Sequence, residues 1–327
     1  MKKGFLIISF YSVVILGLAF SCWAAEYPSR NIKVMVPWAA GGGSDLDSRL
    51  MSKYLSQYLG VSLVVENMPG AGSLMGIKYL MNSKPDGYVI GSGISSSNLT
   101  FYPKLVKGSG VAKNSITPVF RYDQVPNFVV VRGDSPWKTF ADFMADVKKR
   151  PNQLKHGTYG AISMANIVFS LVNVHSGTQT RHVPFNSSGE SLTALLGGHV
   201  DIVSATGLGG GLLQAGKIRV LAVATRERVG ILSDVPTLKE LGYPVEVEGD
   251  HGMFVPNGTP IEVQDKLMKA AKRAFDEHGK EISKILADMY LPAVWDDHEG
   301  YKKIIEESDT MYNYVIDLLK IPSAPMK

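Results

Sequence analysis

Residues 36–49 read Val-Pro-Trp-Ala-Ala-Gly-Gly-Gly-Ser-Asp-Leu-Asp-Ser-Arg, and this stretch decides the fold. It joins the β-branched run Ile32–Val36 to a pattern in which Leu46, Leu50, Met51, Tyr54, Leu55, Tyr58 and Leu59 recur at helical spacing, with Gly60 as the stop. The other face of that helix is expected to hold Asp47, Lys53, Ser56 and Gln57. A strand, a glycine-rich turn and an amphipathic helix make the first half of a βαβ unit. Consecutive glycines let the backbone bring its N–H groups close to a ligand, and a helix N-terminus adds roughly half a positive charge. The turn reads as an anion cradle, with Asp45 as the helix N-cap. The same residues also suit a plain glycine-rich turn with an ordinary cap.

Outward from this unit, strands and helices alternate. Leu63–Val65, a helical segment about Leu74–Met81 and Tyr88–Ile90 complete a first series. A second runs from Phe128–Val131 through a helix at Thr139–Lys149, then Leu154–Gly157 and a helix at Met164–Val174. It continues with His182–Phe185, Ser191–Leu196, Asp201–Ser204 and Arg219–Ala224. Alternation of this kind argues for βαβ units and parallel sheets, and two series of similar rhythm argue for two α/β lobes. The chain passes between them near Val125–Asn127, at Pro126, and a return crossing is expected around Val245–Val255. From Glu262 it reads mostly as helix, with Val263, Leu267, Met268, Ala271 and Phe275 on one face. Two crossings make a two-strand hinge, and the cleft between the lobes becomes the natural ligand site.

The composition agrees with two globular domains: 327 residues, 45% hydrophobic and 20% charged. A charge of +4, from 34 Lys and Arg against 30 Asp and Glu, is too balanced for a dedicated nucleic-acid surface, and aromatic residues are not interleaved with the basic ones. One cysteine, Cys22, excludes a disulfide framework and any zinc site built on several cysteines. Residues 1–24 carry Lys2 and Lys3, an apolar run from Phe5 to Phe20, and small residues before Ala25. This is the order of a secretory signal, and the run is short for a bilayer span of roughly 20 residues. Cys22 has a second reading as a lipidated N-terminus, which the bulky Phe20 opposes. Either way the globular part is expected outside the cytoplasmic membrane, in the periplasm.

Two further glycine loops invite comparison. Gly70-Ala71-Gly72 with Gly76 misses the dinucleotide spacing by one residue, and helix packing on glycine accounts for it better. Gly157-Thr158-Tyr159-Gly160-Ala161-Ile162-Ser163 lies between a strand and a helix and suits either a second binding loop or a capped helix start. There is no Walker A lysine, no G-x-S-x-G and no H-E-x-x-H. Asp250-His251 and Asp296-Asp297-His298-Glu299 read as solvated loop charges rather than metal ligands. No cofactor and no metal is expected. With no nucleophile–base pair to name, binding is favoured over catalysis.

The words Val36–Arg49, Val65–Gly72, Pro85–Tyr88 and Asp134–Thr139 recur in one order in a known family, as do Val183–Phe185, Leu195–Asp201, Gly216–Val223, Asp234–Pro244 and Pro256–Pro260. The chain thereby resembles the periplasmic substrate-binding proteins of tripartite tricarboxylate transporters, the Bug receptors. The resemblance implies a two-lobed type II periplasmic-binding (Venus flytrap) fold. It implies lobe I at 25–125 plus 251–327 and lobe II at 126–250. It also implies a small carboxylate ligand, membrane transporter subunits as partners, and a monomer that binds no nucleic acid. Carried over onto this sequence, the contacts are Ala39, Ala40, Gly42, Gly43, Ser44 and Asp45 in the first lobe. In the second they are Thr158, Gly160 and Ser163, with Asp201 near the cleft.

Three departures from the family pattern stand out. Ile162 replaces a glycine and Asn166 a histidine in the second loop; Asp250 stands where tryptophan is common and would repel an anion unless it is otherwise engaged; Trp38 replaces Phe or Tyr. Two other readings use the same fold: a secreted lyase or hydrolase acting on a small acid, and a ligand sensor for a membrane signalling partner.

Overall fold

The computed structural model describes residues 26–160, 163–209, 211–320 and 324–325. The export segment with Cys22, and Ile162, lie outside the described residues. The first sheet is built by β1 (Ile32–Val36), β2 (Leu63–Asn67), β3 (Val89–Ile94), β5 (Ile116–Val125), β11 (Gly249–Pro256) and β12 (Ala293–Asp296). Their order is β2-β1-β3-β11-β5-β12, and β1 is parallel to both β2 and β3. The helices α1 (Gly43–Leu59), α2 (Leu74–Met81) and α3 (Ser96–Leu105) connect these strands. A short pair, β4 (Val106–Lys107) with β13 (Ala324–Pro325), lies apart.

Helix α1 forms where its periodicity placed it. Met51, Leu55 and Leu59 share a core with Ile32, Val34 and Val36, and Gly60 ends the helix at φ +71°, a left-handed angle that glycine adopts freely. Two expectations about its faces fail. Leu46 is exposed, whereas Asp47 is fully buried. The first turn abuts β3, β5 and β11 rather than solvent, so a polar residue is drawn inside. Gly76 behaves as a packing glycine: a Cβ there would lie 2.7 Å from both Met35 Sδ and Pro37 Cβ.

The second sheet contains β6 (Phe128–Arg132), β7 (Lys155–Thr158), β8 (Arg181–Pro184), β9 (Ile202–Ala205) and β10 (Ile218–Val223), in the order β8-β7-β9-β6-β10. Its helices are α4 (Phe140–Lys149), α5 (Met164–Ser176) and α6 (Ser188–Leu196). Thr139 and Asp142 close a capping box on α4. Each sheet thus places one βα strand, β1 in the first and β7 in the second, between two parallel neighbours. Neither is wholly parallel, contrary to the sequence expectation. The strand by which the chain enters each lobe from the hinge, β11 in one and β6 in the other, runs against both its neighbours.

The crossings lie side by side at the hinge. Asn127, fully buried, donates from Nδ2 to Val247 O at 3.1 Å, and the Ala224 amide donates to Asn127 O at 2.9 Å. Gly249 is in register with Val125. The C-terminal segment forms two helices, α7 (Ile261–Asp288) and α8 (His298–Leu319). Tyr301 and Ile305 of α8 join a first-lobe core, and Tyr312, Val315 and Ile316 join the core behind the second sheet. This helix therefore touches both lobes. In the acidic run before it, Asp296 pairs with Arg121 at 2.7 Å and Asp297 caps α8 by accepting the Gly300 amide, while Asp297 and Glu299 are exposed to solvent.

Candidate functional site

In each sheet one strand, β1 or β7, lies between two parallel neighbours on opposite sides, the topological switch at which open α/β sheets bind ligands. The loop after β1 sits at one such point and the loop after β7 at the other. In the first, Trp38 Nε1 donates to Gly93 O at 2.7 Å and anchors the loop to β3. Gly41 takes φ +81°, Gly42 is the N-cap of α1, and Ala39, Ala40, Gly42 and Gly43 are exposed. Among the described residues, the amides of Gly43 and Ser44 find no intramolecular acceptor, as expected of a first helical turn. A loop of this form can bind an anion through its backbone.

Asp45 is not the N-cap, and its carboxylate is turned onto its own loop. Its Oδ2 accepts the Gly41 amide at 2.9 Å, and its carboxylate also takes Arg49 Nε at 3.0 Å and Asn67 Nδ2 at 2.9 Å. Burial pushes this carboxyl up, but the hydrogen bonds from Arg49, Gly41 and Asn67 outweigh it and hold the group below the usual range. The side chain curls the loop and so aims the glycine amides. At position three of a glycine-opened helix it reaches back to the loop instead of capping forward.

Directly under the cradle lies a buried polar network that the sequence reading missed. Ser44 Oγ is 3.1 Å from Nε2 of His251, a residue of β11 that is 6% exposed. His251 Nδ1 lies 2.8 Å from Asp47 Oδ2 and 3.4 Å from Asp123 Oδ2, and its amide donates to Asp123 Oδ1 at 2.9 Å. The Tyr122 hydroxyl donates to Asp47 Oδ1 at 2.9 Å and meets Ser92 Oγ at 3.0 Å. Burial disfavours a charged imidazole, yet the two carboxylates outweigh it and raise His251 well above its ordinary value. Burial lifts Asp123 to about 7, with the His251 charge opposing and Asp47 adding to the lift. Asp47, Asp123 and His251 bring three ligand-type atoms within 4.8 Å of one another, a donor set that could hold a metal ion. The imidazole also meets Asp123 Oδ2 from Nδ1 and Ser44 Oγ from Nε2 at hydrogen-bond range, so it has partners without one, while Asp47 Oδ2 is buried with no hydrogen-bond partner. One signal for this cluster was available: Asp47 precedes Met51 by four residues and Leu55 by eight, on the buried stripe of α1.

The second-lobe loop uses its hydroxyls internally. Thr158 Oγ1, fully buried, donates to Gly160 O at 2.9 Å and takes a hydrogen bond from His182 Nε2 at 2.7 Å. Ser163 caps α5 by accepting the Asn166 amide and donates to Gly160 O at 2.8 Å. These two residues shape the loop, and Gly160, at φ +142°, remains half-buried at its tip. Asp201 does not join them. Its carboxylate accepts the Lys155 amide at 2.7 Å, at the start of β7, the end of the sheet away from Thr158.

Between the two loops, Asp250 Oδ1 accepts Ser95 Oγ at 3.0 Å and the Ser96 amide at 2.7 Å. A Cβ on Gly249 would meet Met164 Cε at 2.6 Å and Ser95 Oγ at 3.2 Å. Ser44 thus reaches His251 of β11, and the adjacent Asp250 reaches Ser95, which lies with Met164 of α5 beside Gly249. Asp250 and His251 are buried members of a strand rather than solvated loop charges. A separate groove of about 840 Å³, lined by Arg30, Lys33, Met75, Lys78, Tyr79 and Tyr88 among others, opens at the opposite end of β1. Arg30 there pairs with Asp86 and Lys33 with Glu66.

A family model described as the tripartite tricarboxylate transporter family receptor matches residues 48–321. A curated relative from Cupriavidus necator, the UPF0065 protein in the gbd 5' region, is 31% identical over 313 residues and covers 94% of each chain. Among solved structures, a protein of Rhodopseudomonas palustris with adipate is similar at a TM-score of 0.84 and 26% identity, over 92% of this chain and 100% of that one. MatC of the same species, with bound malate, gives a TM-score of 0.79 at 26% identity, over 89% and 100%. The family and these neighbours are solute-binding receptors rather than enzymes. With the two-lobed fold and the two switch-point loops, these matches establish that the chain belongs to the tripartite tricarboxylate transporter receptor family.

Proposed function

We propose that the chain is an extracytoplasmic receptor that captures a small organic acid between lobe I (25–125 plus 251–327) and lobe II (126–250). It would act as a monomer and present the closed form to membrane transporter subunits. The observation that carries this reading is the pair of loops at the switch points of the two sheets, each opening a helix, α1 and α5, with unpartnered amides at Gly43 and Ser44 on the first. Ala39, Ala40, Gly42, Gly43 and Ser44 supply the first half of the site, and Gly160 with the start of α5 supplies the second. Malate in one neighbour and adipate in another support a carboxylate as the ligand class. Charge-assisted hydrogen bonds from pre-formed backbone donors provide affinity at low ordering cost.

The test is a thermal-shift panel of mono-, di- and tricarboxylates. A ligand at about 100 times its Kd adds roughly 2.7 kcal/mol to stability and raises the melting temperature. No shift with any acid would overturn the reading.

A further inference from the structure

We propose that Asp47, Asp123 and His251 form a binding site for one divalent metal ion of the zinc or manganese class, buried beneath the first-lobe cradle. Its protein ligands are His251 Nδ1 and the Oδ2 atoms of the two carboxylates. The proposal does not depend on the receptor reading.

Three elements bring these groups together: α1 supplies Asp47, β5 supplies Asp123 and β11 supplies His251. In each residue one polar atom is engaged outward and the other is left facing the centre. Asp47 Oδ1 accepts the Tyr122 hydroxyl at 2.9 Å. Asp123 Oδ1 accepts the His251 amide at 2.9 Å, and His251 Nε2 meets Ser44 Oγ at 3.1 Å. Outer hydrogen bonds of this kind are what orient the ligands of a metal. The remaining atoms converge: Nδ1 lies 2.8 Å from Asp47 Oδ2 and 3.4 Å from Asp123 Oδ2. Donors bound at about 2.0–2.2 Å to one ion, at angles between square and tetrahedral, stand roughly 2.8–3.6 Å apart. Both separations fall in that range.

A proton on Nδ1 serves only one of the two acids. Its hydrogen bond runs to Asp123 Oδ2, whereas Asp47 Oδ2, although closer, lies outside hydrogen-bond geometry and is buried with no hydrogen-bond partner. Both carboxylates are fully buried, and among the described residues no Lys or Arg pairs with either. A buried acceptor and a buried charge left in that condition are costly. One divalent ion between the three atoms engages all of them and balances both charges. A set of one imidazole nitrogen and two carboxylate oxygens suits zinc or manganese, whereas magnesium and calcium favour oxygen alone.

The ion would act as a clasp. Asp123 lies two residues before Val125 and His251 two after Gly249, the registered pair at the crossing, so one ion fastens the helix that opens the cradle to both hinge strands. Loading is therefore expected to raise the melting temperature.

The test uses the full chain, stripped with chelator and then titrated with zinc(II) and manganese(II) by calorimetry; metal retained after desalting is read by mass spectrometry. One equivalent of zinc per chain is expected, with a rise in melting temperature that chelator reverses. Loss of an outer partner alone weakens a metal site roughly 10–100-fold, so Asp47→Asn and Asp123→Asn, which each remove a ligand charge, should weaken zinc binding by more than about a hundredfold. Tyr122→Phe removes only an outer partner, should fall within the lower range, and decides the matter if an asparagine variant does not fold. His298→Gln, at a half-buried histidine outside the cluster, should bind as the wild type does. The proposal is overturned if the wild type retains no zinc, or if Asp47→Asn, Asp123→Asn or Tyr122→Phe binds it with unchanged affinity. Loss of the equivalent in His298→Gln overturns it as well. If zinc binds as expected and no acid binds, the receptor reading falls and the metal site stands; if acids bind and zinc does not, the metal site falls alone.

Discussion

Asp250 Oδ1 accepts the backbone N–H of Ser96 at 2.7 Å, so a carboxylate from the returning strand caps the N-terminus of α3. A carboxylate near the cleft would repel an anionic ligand if it faced that ligand. Here its charge is set against the positive end of a helix and the Ser95 hydroxyl, and the side chain is buried. The N-termini of α1, α3 and α5 are thereby told apart. The N-terminus of α3 is filled by the protein's own acid and that of α5 is capped by a neutral serine, whereas α1 opens with glycine and no side-chain cap.

Replacing Asp250 by Ala should leave the Ser96 amide and the Ser95 hydroxyl buried without their acceptor. Such a loss costs about 1–3 kcal/mol. Urea unfolding should show that decrease for Asp250→Ala and a smaller one for Asp250→Asn, which keeps an acceptor oxygen. A decrease under about 0.5 kcal/mol for Asp250→Ala would remove the capping role.

Gly43→Val tests the cradle. A Cβ at Gly43 has nothing within 4 Å and the residue has no left-handed angle, so the fold should tolerate the change at a cost below about 1 kcal/mol. The branched side chain would stand over the free amides and should weaken carboxylate binding at least tenfold in calorimetry. Equal affinity would take this loop out of the site.

The βαβ rhythm made most of the fold legible, because each strand and helix carried its own periodicity. The segment Ile116–Val125, which became the long outgoing hinge strand, lacks such a signal: Pro118, Arg121, Asp123 and Gln124 interrupt its apolar residues. Those polar residues have distant partners, Asp123 with His251 and Arg121 with Asp296, and distance along the chain hides them. The glycine loops were singled out as candidates because backbone freedom is a local property. The roles of their neighbours were not. Asp45, Thr158 and Ser163 are polar residues in the expected places, but only the fold shows their side chains turned onto their own loops.

Gly252 marks a close approach. A Cβ there would fall 2.4 Å from Phe120 O and 2.3 Å from Tyr301 Cε1, and Phe120 belongs to the strand paired with β11. Backbone in a ladder cannot step aside, so Gly252→Ala should cost about 3 kcal/mol or more, above the usual range for overpacking. Gly279→Ala is the control. That glycine lies inside α7 with nothing within 4 Å, and alanine should stabilise by about 0.5–1 kcal/mol. Thermal melts that move both variants in the same direction would refute this reading of the two glycines.

His156 determines how stability should respond to mild acid. Its ring stacks on His182 at 5.0 Å and meets Thr180 Oγ1 at 2.9 Å, and burial, aided by the neighbouring His182, pushes its pKa down to about 3. In the unfolded chain the value returns to about 6.5. Between these two values the unfolded state holds a proton that the folded state lacks, so stability falls as pH falls, by up to about 1.4 kcal/mol per unit from this residue. His182, also lowered by burial, acts in the same direction. His251 acts oppositely: its folded value is raised, so its contribution is full below about 6.5 and is lost only as pH climbs. Asp45, held low, adds to acid sensitivity only below about pH 4, outside the range compared. Unfolding free energies at pH 7 and pH 5, measured for the wild type and for His156→Gln, read the effect of His156 together with its coupling to His182, the remaining titrations being common to both. The wild type should lose about 1–2 kcal/mol more than the variant over that interval. Equal losses would mean that His156 accepts its proton without unfolding, and the buried neutral pair in the second lobe would have to be abandoned.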